Sequence, residues 1–80
     1  MIRTVIGDNM NRDTYNFTED TTIRQALETA GLDYTGTMLM MDGATMKPGD
    51  LDMTFAEHKY DGTPKHDYCR LIAVTKRDNA

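Results

Sequence analysis

One stretch of this chain has a helical period, and the remaining segments must be arranged around it. Thr22 is a good N-cap, and Gln25, three residues later, completes a capping-box spacing. Ile23, Ala26, Leu27 and Ala30 follow the i, i+3, i+4, i+7 rule of one helix face, while Arg24, Gln25, Glu28 and Thr29 take the other. Gly31 stands just past the last periodic residue, where a left-handed backbone costs glycine little. Leu32 can then fold back onto Leu27. The helix so bounded runs for about nine residues, too short to be stable alone in water. It needs an apolar surface to lie on.

The other segments read as strands that could supply that surface. Ile2 to Ile6 is rich in β-branched residues. Thr14 to Thr18 alternates, with Tyr15 and Phe17 set between polar neighbours, as a strand with one buried face does. Gly7 to Asp13 between them suits a hairpin turn, and the second strand is a candidate exposed edge. After the helix, Thr37 to Met41 is short and apolar. It is followed by Asp42-Gly43, a pair that favours a type I′ hairpin turn because both positions need positive φ. Ala44 to Met46 is the short return strand, and Lys47 to Asp50 is a turn. Leu51 and Phe55 are spaced to drop two side chains onto the core from a short helical turn. Lys59 to Asp67 reads as an exposed polar loop with Tyr60 at its tip, and Tyr68 to Thr75 as the longest strand.

At 80 residues the chain fits one domain with a thin core, with room for one sheet and about one helix. The order of hairpin, helix, short hairpin, helical turn and final strand resembles the ubiquitin-like β-grasp superfamily, including small bacterial ubiquitin-like and sulfur-carrier-like domains. Three stretches carry the likeness: Thr21 to Leu27 at the start of the helix, Met41 to Leu51 across the glycine turn and descending loop, and Leu71 to Val74 in the last strand. The resemblance implies an α+β fold, a mixed sheet of four to five strands with one helix packed across it. The expected domain runs over residues 1–76, with a polar tail at 77–80. The modifiers and sulfur carriers of that superfamily end in a glycine pair that is activated. Here no residue from Tyr68 onward is glycine, so conjugation and sulfur-carrier chemistry are not expected to carry over.

Charge and side-chain inventory narrow the function. With 9 Lys+Arg against 13 Asp+Glu, the net charge of −4 disfavours direct binding of nucleic acid or an anionic membrane. The N-terminal residues do not resemble a signal peptide, no apolar run is long enough to span a membrane, and a single cysteine allows no internal disulfide, which together suggest the cytoplasm. There is no serine and no glycine-rich phosphate loop, and the aspartates fall mostly in turns. No catalytic residues and no cofactor are therefore expected. Cys69 alternates within a strand as a buried cysteine would. His58 and His66, with Asp61 and Asp67 nearby, lack the tight spacing of a zinc site, so no metal is expected.

Methionine is the suggestive excess. Five of the seven (Met38, Met40, Met41, Met46 and Met53) fall within 16 positions. Met38 to Met41 must occupy both faces of one strand, so one face turns apolar groups outward unless a loop covers them; methionine suits adaptable binding surfaces, and it equally serves to fill a thin core. The expected function is a non-enzymatic protein-binding module, monomeric or weakly dimeric. Its contact surface would be the exposed sheet face, with Met38 or Met40, Arg70, and Ile72 or Leu71 depending on a register the sequence leaves open, and with Tyr60 as an added aromatic contact. Two other functions stay open: a small acidic inhibitor, of the kind found on bacterial mobile elements or phage, that blocks a nucleic-acid-binding protein through Asp8, Asp13, Glu19 and Asp20, and, as the resemblance implies, a degenerate sulfur carrier.

Overall fold

The helix forms between the caps the sequence places there. In the computed structural model, which describes residues 1–75, α1 spans Ile23–Ala30. The Thr22 hydroxyl accepts the Gln25 N–H at 3.1 Å, and the Thr22 N–H donates to the Gln25 side-chain oxygen at 2.9 Å. At the other end Gly31 has φ 69°, its N–H donates to the Glu28 carbonyl, and the Leu32 N–H reaches the Leu27 carbonyl at 3.1 Å. Those two bonds satisfy carbonyls the helix end would leave bare. Ile23, Ala26 and Leu27 are buried.

The strands are β1 (Ile2–Gly7), β2 (Arg12–Phe17), β3 (Thr37–Met41), β4 (Ala44–Thr45) and β5 (Tyr68–Thr75). They form one sheet in the order β2-β1-β5-β3-β4. β1 and β5 run parallel at its centre, and every other neighbouring pair is antiparallel. Asp42 and Gly43 both take positive φ, at 50° and 87°, as their hairpin requires. β2 starts at Arg12, two residues before the sequence pattern, because the ladder extends to the pair Gly7↔Arg12. The polar tail expected at 77–80 lies outside the described residues.

The core fills the space between α1 and one sheet face. Ile2 and Ile6 from β1, Phe17 from β2, Leu39 and Met41 from β3, and Cys69, Leu71 and Ala73 from β5 meet the helix there. Burying a side chain of this class contributes about 1.5–3 kcal/mol, so a short list of residues holds the domain. Thr4 is the one buried polar residue among the described residues, and its hydroxyl donates to the Ile2 carbonyl at 3.3 Å.

Two 3-10 turns, Pro48–Asp52 and Ala56–His58, close the open end of the core. They dock by backbone bonds: Ile23 N–H to Met53 O, Phe55 N–H to Thr21 O, and Ala56 N–H to Glu19 O. This seats Phe55 fully inside, stacked on Phe17 at 5.8 Å between ring centres. Leu51 packs partly buried against the same core. The Tyr60 expectation fails here. Lys59 adopts a left-handed φ of 71°, which turns the chain back, and the Tyr60 ring meets Phe55 edge-on at 6.5 Å. Tyr60 is thus a half-buried flank of the core and not a loop tip.

Candidate functional site

The second face of the sheet is not covered by the helix, and its residues follow from the pleat. Successive side chains point to opposite faces. With Leu39, Met41, Cys69, Leu71 and Ala73 buried under α1, the intervening Met38, Met40, Arg70, Ile72 and Val74 face outward. Register then places them together. Met40 lies opposite Ile72, and Met38 opposite Val74. Four apolar side chains therefore form two adjacent cross-strand pairs in the middle of the exposed face. Met38 is 37% exposed, and Met40, Ile72 and Val74 are half-buried by one another.

Arginine borders this quartet. On the β1 side Arg70 is opposite Val5, and Ile72 is opposite Gly7. The stem of Arg12 lies against Gly7, and its Nε–H donates to the Asp8 carbonyl at 3.0 Å. Arg12, Arg70, Met40, Ile72 and Val74 line an open depression of about 420 Å³. Farther along, the Arg3 guanidinium stacks on the Tyr68 ring at 5.1 Å from its centre. Asp42 is the acidic group at the depression, and it is engaged by the backbone. Its carboxylate accepts the Arg70 N–H, and its own N–H donates to the Arg70 carbonyl, both at 2.9 Å. None of Arg3, Arg12 and Arg70 forms an ion pair among the described residues; the pair found there is Arg24–Asp52, on the helix side. A chain with net charge −4 thus presents an apolar patch bordered by arginine on its β1 side.

Of the residues singled out from sequence, Met38, Met40, Arg70 and Ile72 come together here. Leu71, the alternative to Ile72, faces the core, and Tyr60 lies elsewhere. The sequence reading missed Val74, Tyr68, Arg3 and Arg12. The signal was available for Val74 and Tyr68, which share parity with Arg70 and Ile72. For Arg3 and Arg12 it depended on strand order, which pairing decides. The other groups considered are dispersed or enclosed. Cys69 is buried, and burial first, then the charge of Asp42, pushes its thiol pKa up and keeps it protonated. The His58 ring bonds to the Asp50 carbonyl at 2.9 Å, and no cluster of three metal-ligating side chains exists among the described residues. The acidic groups Asp8 and Asp20 lie beyond opposite ends of β2, each used in its own turn. No helix among the described residues is long and apolar enough to cross a membrane.

Comparison with known proteins reaches the fold. No family model matches the chain, and no curated protein matches it significantly. Among solved structures it is similar to the N-terminal ubiquitin-like domain in the 4931431F19Rik protein, solved in solution. The two share 13% identity with a TM-score of 0.50, over 99% of this chain and 80% of that one. The fold is a ubiquitin-like β-grasp.

Proposed function

We propose that this domain works by binding another protein through its bare sheet face, without catalysis and without being conjugated itself. The observation that carries the reading is the contiguous quartet Met38, Met40, Ile72 and Val74, bordered by Arg12 and Arg70. Apolar side chains supply the association energy, and methionine adapts to a partner's contour. The arginines select for the partner's charge and speed encounter more than they add affinity. The partner surface that fits is apolar at its centre and acidic at its margin. The single cysteine, which allows no internal disulfide, is in keeping with the cytoplasm, the proposed site of action.

The test is capture from native lysate with wild type and Met40→Asp side by side, followed by mass spectrometry. Met40 is half-exposed, so the variant should keep its far-UV circular dichroism and lose the partner by at least about tenfold, the scale of one hot-spot residue. Equal capture by the folded variant would sink the reading. Loss of capture in both samples with modest added salt would favour the acidic-inhibitor alternative, because charge-driven contacts are screened.

A further inference from the structure

Strand β3 carries three of the seven methionines, and the pleat sorts them. Met41 points under α1 and is buried among the core residues. Met38 and Met40 point the other way, where they make up half of the apolar quartet on the bare face. Met38 is exposed, and Met40 lines the open depression beside Ile72, which a molecule as small as hydrogen peroxide can enter.

Thioether chemistry gives this sorting a consequence. Peroxide converts methionine to its sulfoxide. The O–O bond breaks, an S–O bond forms, the sulfur gives up two electrons, and water leaves. A flexible apolar side chain becomes a polar one. Met38 already has a donor placed for the new oxygen. The Thr45 hydroxyl donates to its sulfur at 3.8 Å. A thioether is a weak acceptor, and the sulfoxide oxygen would be a stronger one for the same hydroxyl. Thr45 lies opposite Met40 in the ladder, so this hydroxyl borders both outward methionines. No thiol competes for the oxidant. Cys69, the single cysteine, is buried with its thiol kept protonated, whereas the thiolate is the reactive form.

We infer that Met38 and Met40 form a reversible oxidation site that switches the bare face off. The inference rests on the protein-binding reading of that face. Oxidation of both removes two of the four apolar side chains and sets sulfoxide oxygens beside Ile72 and Val74. A partner with an apolar centre would then have to bury those oxygens unpaired, which is costly. The fold is spared, because the residues that hold it lie on the helix side and Met41 is sealed among them. That separation makes the event a switch and not damage. One strand offers its outer pair of sulfurs to solvent and keeps its core sulfur covered. Reversal uses methionine sulfoxide reductases, one for each epimer, and a dithiol that becomes a disulfide as the sulfoxide oxygen leaves in water. Met1 and Met10, 72% and 87% exposed, will oxidise as well, but neither belongs to the quartet. Met46 is half-buried against the core and also stands outside it.

The test treats the full chain alone with graded hydrogen peroxide, removes the excess with catalase, and only then adds native lysate. The partner is read as the protein captured by reduced wild type and not by reduced Met40→Asp. Fragment mass spectra should show Met38 and Met40 gaining oxygen at lower peroxide than Met41, with far-UV circular dichroism unchanged. Capture should then fall at least about tenfold, and the two reductases with dithiol should restore it. Met38→Leu combined with Met40→Leu keeps the apolar volume without the sulfur. It should capture as wild type does, before and after peroxide. Should that double variant fold poorly, each single leucine variant should lose part of the sensitivity. The inference is overturned if Met41 oxidises together with the outer pair and the fold is lost, because oxidation is then damage. It is overturned if the leucine variants are as sensitive as wild type, which moves the effect to another residue. Undiminished capture by oxidised wild type would overturn the switch alone and leave the binding reading standing. Equal capture by reduced wild type and reduced Met40→Asp would sink the binding reading, and the switch with it.

Discussion

The two faces of this sheet are built from the same strands and nearly the same residue types, yet only one of them is covered. Toward the helix β3 and β5 send Leu39, Met41, Leu71 and Ala73, and away from it Met38, Met40, Ile72 and Val74. The inner set is sealed by α1 and by Phe55. The outer set is sealed by nothing the chain itself contributes among the described residues. An ordinary antiparallel sheet with one wet face would make its outer residues polar. Here both faces of β3 and β5 are apolar, and a core needs only one of them. The cross-strand pairs on the second face contribute only about 0.2–1 kcal/mol each, so folding alone asks little of their apolar character, and the proposed binding role accounts for it.

Adjacent residues on β5 give the sharpest test of that difference. Leu71 is fully buried and Ile72 half-exposed. Leu71→Ala should cost about 2–5 kcal/mol, lowering Tm by at least ~10 °C in a domain of this size. Ile72→Ala should cost less than about 1 kcal/mol while weakening capture of the partner. Thermal melts beside the capture assay read both. Equal losses of stability would mean that the outer face is structural after all, and the comparison would break.

Gly7 lies at the end of β1 between Arg12 of β2 and Ile72 of β5, and it sharpens the comparison with a smaller effect. A Cβ there would lie 2.6 Å from the Arg12 Cα, too close to the backbone for a side chain to yield, and would also press on the Asn11 carbonyl. Gly7→Ala should destabilise by about 1–3 kcal/mol, the usual scale of overpacking. It should also displace Arg12 from the wall of the depression. Amide chemical shifts should therefore change along Asp8–Arg12 and little in β3. Shifts spread evenly over the sheet would show that the hairpin is not a separate unit.

Much of this was legible in the sequence because it is decided locally. The capping box of Thr22 and Gln25, the Gly31 stop and the Asp42-Gly43 turn each need only neighbours a few residues away, and all formed as spaced. The parity of Met38, Met40, Arg70 and Ile72 was also readable, but which parity faced inward depended on where the helix lies. Tyr60 was misread because its fate hangs on the left-handed turn at Lys59 and on Phe55 being drawn under the helix by bonds to Thr21 and Glu19. Those contacts join segments far apart in sequence, and no local pattern announces them. Arg12 was likewise missed as a wall of the site, because it approaches Ile72 only once β1 is inserted beside β5.

The smallest effect comes from groups that belong to neither face. Asp8 accepts the N–H groups of Asn11 and Met10, each at 2.8 Å, and those bonds, Asn11's first, hold its carboxyl below the usual aspartate value of 3.8. Hydrogen bonds from Thr63 do the same for Asp61, the Thr35 N–H does so for Asp33, and Arg24 lowers Asp52. A carboxyl whose pKa is lower in the folded state stabilises the fold above its unfolded value and loses that contribution as pH falls through the folded one. Tm should therefore stay level from neutral pH down to about pH 5 and decline only below about pH 4. Each group is exposed, so the slope should be shallow and spread over several turns. Asp8→Asn keeps an oxygen for the turn and cannot ionise, so its acid limb should be flatter than wild type. A decline already under way between pH 7 and 5 would place the sensitive group elsewhere. An unchanged limb in Asp8→Asn would remove the β1–β2 turn from the account. In either case the two faces should lose stability together, since the loops that titrate join strands contributing to both.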